Sequence, residues 1–205
     1  LLREKEQLLK EVHHRIKNHM GTISSIISLN ADYYDDPRIS EVLEDIHNKI
    51  RVMQNIYQSL YIGDDVRSVQ LSSFFDPLLR DLETAYMAGT GISITRDIEA
   101  LELSAKQSLP VGIIVNELVT NALKYSFPDR DGGSIRISIH RDEGNADMLR
   151  IAVADDGVGI SDHIAANEDY GFGLTLVKGY AKQFDGEMRI RGEGGTIVEV
   201  WIVIE

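Results

Sequence analysis

Residues 1–62 contain one glycine, Gly21, and one proline, Pro37. Apolar residues recur there as Leu2, Leu9, Ile16 and Ile23, with Val12 and Ile26 at intermediate positions. That spacing is a heptad seam, which suits a long helix and little else. The segment DYYDDPR (32–38) interrupts it, because proline and its flanking aspartates favour a turn. The seam resumes as Ile39, Leu43, Ile46, Ile50, Met53, Tyr57 and Leu60. The pattern predicts two long helices joined by a short turn, an antiparallel helical hairpin over residues 1–62. A lone hairpin encloses too little apolar volume to be stable. Its seams therefore call for a partner, most simply a second copy in a dimeric four-helix bundle.

Ile62-Gly63-Asp64-Asp65 reads as a linker, after which the periodicity changes. Residues 72–89 read as a helix ended by Gly89, 92–99 as an alternating strand, and Gln107–Phe127 as a long helix. Strands are expected over 134–142 and 148–155, a helix over 173–184, and a closing hairpin from EMRIRG and TIVEVWIVIE. Helices and strands mix without strict βαβ repetition. The expected class is α+β: the helical hairpin, then an α/β sandwich over residues 68–205.

Composition narrows the function. The net charge of -12 argues against a nucleic-acid surface, which needs a basic face. The absence of cysteine removes disulfides, zinc-thiolate sites and thiol nucleophiles, and fits a reducing, cytoplasmic setting. No apolar run approaches the ~18 residues that span a bilayer. The opening LLREKEQLLKEV reads as a helix already in register, so an upstream segment is expected.

The stretch VNELVTNALKYSFP (115–128) carries the most chemistry. Glu117, Asn121 and Lys124 stand at i, i+4 and i+7 and share one helix face, while Ile114, Leu118 and Ala122 form another. An amide oxygen suits Mg²⁺ and an ammonium suits phosphate, although a solvated face would show the same stripe. In AVADDGVGI (152–160) an apolar strand ends in Asp155, followed by Gly157 and Gly159. A carboxylate there can accept from an exocyclic amine such as adenine's, and the glycines admit close backbone approach. In YGFGLTLVK (170–178) Gly171 and Gly173 open a helix whose N-terminus suits an anion. In GEGGT (192–196) Thr196 is placed either to donate to a phosphate or to close a hairpin turn.

No Walker-type GxxxxGK[ST] string and no dinucleotide fingerprint occurs. The order of an Asn-bearing helix, Asp-Gly-x-Gly, a Gly-x-Gly helix and Gly-Gly-Thr resembles the N, G1, G2 and G3 boxes of the GHKL ATPases (gyrase, Hsp90, MutL and histidine kinases). The resemblance covers residues ~105–205. It implies ATP and Mg²⁺ as cofactors. Asn121 would hold the metal, Asn116 or Lys124 the phosphates, and Tyr125 would border the adenine. Asp155 would read its amine, with Gly157, Gly159, Gly171, Gly173, Leu174 and Thr196 lining the site. Residues ~158–172 would form a mobile lid.

Members of that superfamily run different reactions on one nucleotide site, so function must come from elsewhere. KEVHHRIKNHMGTISSIISL (10–29) supplies it. With Leu9 and Ile16 on the seam, His14 faces away from it. An exposed imidazole is largely neutral at pH 7, the form that attacks phosphorus. Arg15 beside it would balance phosphate charge. Asn18, one turn on, can orient the nucleophile or a water. His13, His14 and His19 fall on different helix faces, so one chain cannot converge them on a metal. The string H-R-I-K-N resembles the His-Arg-x-Lys-Asn phosphoacceptor box of a histidine-kinase subfamily related to the HWE kinases, which maps phosphorylation to His14 and not His13. The HWE kinases themselves carry an N-box histidine and a W-x-E motif; here Tyr125 stands in the corresponding stretch and the one tryptophan is Trp201. The acid that follows the histidine in the commoner box is replaced by Arg15, so Glu117 and Glu11 both stand as candidates for the base.

The resemblance thus implies a sensor histidine kinase core. ATP would phosphorylate His14, and the phosphoryl group would pass to an aspartate on a response regulator receiver domain. A serine kinase of the anti-sigma type would not need the hairpin histidine. A degenerate scaffold would lack box residues that this chain carries: Asn121, Asp155, Gly157, Gly159 and Gly173.

Overall fold

The computed structural model describes residues 2–34, 36–60, 68–87, 89–128, 130–160, 171–192 and 194–204. The expected linker 62–65 and most of the expected lid, 161–170, lie outside them. The chain divides into two compact units, Leu1–Arg67 and Ser68–Glu205.

The first unit is a pair of helices, α1 (Leu2–Tyr33) and α2 (Pro37–Leu60). Pro37 opens α2, a position that has no use for an N–H. Asp36 caps the entry: its Oδ1 accepts from the Arg38 N–H at 2.9 Å. The interior of the pair differs from the single seam expected. His13, Ile16, Met20, Ser24, Ile27 and Ala31 are half-buried along one stripe of α1. Val12, Ile23 and Ile26 remain 48%, 50% and 52% exposed. An α-helix drifts relative to a seven-residue repeat, and one neighbouring helix covers one stripe. The heptad residues therefore split between two faces, and one face is left exposed among the described residues.

The second unit carries a five-stranded sheet in the order β2-β4-β5-β7-β6. Its strands are β2 (Gly91–Ile98), β4 (Gly132–Asp142), β5 (Asn145–Asp155), β6 (Glu187–Gly192) and β7 (Thr196–Val203). β2 and β4 run parallel, and the other neighbours are antiparallel. Ile135, Ile137, Ile139, Leu149, Ile151, Val200 and Ile202 alternate along β4, β5 and β7 and are fully buried. They form the face covered by α3 (Leu71–Tyr86), α4 (Ala105–Tyr125) and α5 (Phe172–Gln183). The α+β class expected from the sequence is the one observed. A two-stranded ribbon, β1 (Ser68–Gln70) with β3 (Glu102–Ser104), was not legible. Each strand has three residues, too few for an alternation to register.

The opposite sheet face is polar and holds a buried acid, Glu199, 4% exposed. Arg150 and Arg191 both bond its carboxylate. Burial pushes that carboxyl up, but the bonds and charge of Arg150, then of Arg191, outweigh it and hold it below the usual carboxylate range. Among the described residues no helix is long and apolar enough to cross a membrane.

Candidate active site

Three loops of the second unit meet around Asp155, the last residue of β5. Its Oδ1 accepts from the Gly157 N–H at 2.9 Å and the Thr196 N–H at 3.2 Å. No described residue bonds Oδ2. Two backbone amides thus fix the carboxylate and leave one oxygen as an open acceptor. Thr196 contributes through its backbone, and it pairs with Gly192 to close the β6–β7 turn. Close approach explains the glycines. A Cβ on Gly157 would stand 2.1 Å from the Ser126 carbonyl oxygen at the end of α4. One on Gly195, at φ +148, would stand 1.9 Å from the Asp155 carbonyl oxygen. Gly159, at φ +79, occupies the left-handed region that disfavours a side chain.

The sequence reading passed over the neighbouring support. Asp156 accepts from the Ser134 N–H at 2.8 Å, and Arg130 donates to the Asp156 carbonyl at 2.6 Å. The Ser134 N–H first, then its hydroxyl and the Arg130 charge, hold the Asp156 carboxyl below its usual range against desolvation. These contacts fasten the loop to β4. The Asp-Asp pair was the only signal, and it does not say which acid points outward.

The acidic and amide groups of α4 meet the start of α5. A Cβ on Gly173 would lie 2.6 Å from Glu117 Oε2 and 3.5 Å from Asn121 Nδ2. Glu117 is 3% exposed, Asn121 half-buried, and Lys124 exposed. Tyr125, at 68%, stands open at the helix end. Asn116 is placed differently: it is buried, about 140° around the helix from Asn121, and its Oδ1 has no hydrogen-bond partner among the described residues. Gly171 is the N-cap of α5, and Leu174 is half-buried in its first turn. Phe172 beside them is 64% exposed.

In the first unit His14 is exposed, as are Arg15 and Asn18. Arg15 is held by Glu11 one turn back, with Nε at 3.0 Å and Nη2 at 2.5 Å from Oε1. His13 instead points into the hairpin, where its Nδ1 lies 2.5 Å from the Tyr57 hydroxyl. His19 is exposed on another azimuth. C-terminal to His14, a polar groove is lined by Lys17, Asn18, Thr22 and Ser25 of α1 and Gln54 and Gln58 of α2.

Comparison with known proteins agrees with both halves of this arrangement. Residues 11–86 match the family model described as histidine kinase. Residues 106–205 match that of the histidine kinase-, DNA gyrase B- and HSP90-like ATPases. The blue-light-activated histidine kinase 2 of Erythrobacter litoralis is 25% identical over 201 residues, 96% of this chain and 57% of that protein. The sensor histidine kinase PdtaS of Mycobacterium tuberculosis is 26% identical over 198 residues, 95% of this chain and 39% of that protein. The chain therefore spans between 39% and 57% of the length of these curated relatives. Among solved structures, the histidine kinase domain of the Erythrobacter litoralis EL346 blue-light activated kinase shares its fold. The TM-score is 0.69 at 23% identity, covering 99% of this chain and 94% of that one. With a histidine kinase match over its hairpin and an ATPase match over its second unit, the chain belongs to the histidine kinases.

Proposed function

We propose that residues 68–205 bind ATP with Mg²⁺ and that residues 1–62 present His14 as the phosphoacceptor. Asp155 is the observation that carries the nucleotide assignment. Its carboxylate is held by two amides with one oxygen open, the arrangement needed to accept from the adenine amine. Tyr125 borders the base. Gly157, Gly159, Gly171, Gly173, Leu174 and Thr196 shape the pocket wall. Asn121 offers a hard oxygen donor at the α4–α5 junction, the ligand type that Mg²⁺ takes; Mg²⁺, when bound, neutralises phosphate charge. Lys124 is the exposed cation for a phosphate. Asn116 is buried and fits that contact poorly.

A ring nitrogen of His14 attacks the γ-phosphorus. The bond to the β,γ-bridging oxygen breaks, ADP leaves, and the imidazole proton passes to a base. Arg15 holds the Glu11 carboxylate at 2.5 Å, so that oxygen is already engaged on α1. Glu117, beside Asn121, is the better assignment. Arg15 flanks the acceptor and Asn18 lies one turn on, placed to orient the nucleophile. The phosphoryl group then passes to a receiver-domain aspartate of a response regulator: a carboxylate oxygen attacks phosphorus, the N–P bond breaks, and the freed ring nitrogen takes up a proton. Those substrates place the reaction in the cytoplasm. The exposed apolar residues Val12, Ile23, Ile26 and Leu29 of α1, with Val42 of α2, support pairing with a second copy.

Incubation with γ-³²P-labelled ATP tests the reading. Acid-labile label is expected on the chain and is expected to vanish in His14→Ala. Label that persists in that variant removes His14 from the role.

A further inference from the structure

Two adjacent histidines stand at the acceptor position, and nothing in their covalent chemistry distinguishes them. Successive residues of a helix differ by about 100° in azimuth, so only one can face outward. A rotation of that size in α1 would exchange them. Within the hairpin α1 is covered along one half-buried stripe, which includes His13. A directional contact holds it at this level. Tyr57, 7% exposed on α2, sets its hydroxyl 2.5 Å from His13 Nδ1. The two rings are tilted at 54° with centroids 5.7 Å apart. The bond joins residues 44 apart in sequence and crosses the hairpin one residue before His14.

We propose that Tyr57 is a positioning residue that selects the acceptor. By engaging His13 Nδ1 it keeps that half-buried ring turned toward α2 and fixes the azimuth at which His14 meets solvent. The inference rests on the histidine kinase reading and adds a determinant on α2 that the acceptor box does not contain. Tyr57→Phe removes the hydroxyl while keeping the buried ring.

The test is site mapping of the phosphoryl group by mass spectrometry at alkaline pH, after incubation with ATP and Mg²⁺. The chain itself is expected to carry phosphate on His14 alone; phosphate elsewhere, or none, defeats the parent reading and is seen before any variant is made. In Tyr57→Phe, phosphorylation of His14 is expected to slow several-fold and phosphate to appear on His13. In Tyr57→Phe/His14→Ala, His13 is expected to retain phosphate that His14→Ala alone lacks. A double variant without phosphate, or a Tyr57→Phe chain labelled on His14 alone at the unaltered rate, overturns the proposal. ¹⁵N spectra of the unaltered chain need no variant to fold: His13 is expected to hold a single tautomer while His14 averages, and equal averaging of both also overturns it.

Discussion

The hairpin and the ATP unit carry their functional groups in opposite ways. On the hairpin the proposed working residues are exposed side chains on regular helix: His14, Arg15 and Asn18. In the ATP unit they are fixed by backbone. Asp155 is aimed by the Gly157 and Thr196 amides, and the loop beneath it is tied to β4 through Asp156 and Ser134. A phosphoacceptor must be reached by two different partners, so exposure serves it. A nucleotide pocket must recognise one ligand repeatedly, so pre-organisation serves it. Acceptor mutations should therefore cost chemistry and spare the fold. Pocket glycine mutations should cost both.

The sharpest break in that contrast is His14→Ala against Asn121→Ala. Each is expected to lower phosphorylation by at least about 10²-fold, the scale of losing a group that acts in the transition state. ATP affinity, read by fluorescent-nucleotide titration, should hold in the first and fall in the second. Equal loss of affinity in both would erase the division of labour between the units.

Gly157→Ala comes next. The added Cβ would meet the Ser126 carbonyl, so either the loop or the end of α4 must move. Destabilisation of the ATP unit by about 1–3 kcal/mol is expected in urea unfolding, with the helical signal of the hairpin retained.

Glu199→Gln probes the polar sheet face. Replacing a buried carboxylate held by two guanidiniums should cost about 1–3 kcal/mol at neutral pH. The pH dependence gives the sign. The folded carboxyl titrates below its unfolded value, so its contribution is present above the unfolded pKa and is lost as pH falls through the folded one. The unaltered chain should lose this stability in acid, and Glu199→Gln should show a flatter acid limb.

The smallest effect on folding is expected from Ile23→Asn/Ile26→Asn. Both residues are about half exposed within one chain, so stability should change by roughly 0.5 kcal/mol or less. Sedimentation should nonetheless shift toward the monomer. An unchanged sedimentation coefficient would mean that the second copy pairs elsewhere.

How much was legible differs between the two units for the same reason that they work differently. Helix periodicity is local, so α1 and α2 were read from spacing, with the turn at Pro37 where expected. The outward direction of His14 followed from that spacing. The boxes of the ATP unit were visible as an order of residue types, but their geometry was not. The strip Glu117–Asn121–Lys124 looked like one uniform face. The structure buries Glu117, half-buries Asn121 and exposes Lys124, because the start of α5 covers only part of the strip. The β1–β3 ribbon and the Arg150–Glu199 pair each join segments far apart in sequence and leave no periodic trace.

The sequence by itself determined the two helices of the hairpin, the α+β class, and the residue types available to nucleotide and phosphoryl chemistry. All three follow from local spacing and side-chain chemistry. Tertiary structure decided which half of the heptad seam is covered, which oxygen of Asp155 is open, and which of two neighbouring histidines is tethered to Tyr57. Each of those depends on a partner brought from elsewhere in the chain, and no local pattern encodes where that partner will stand.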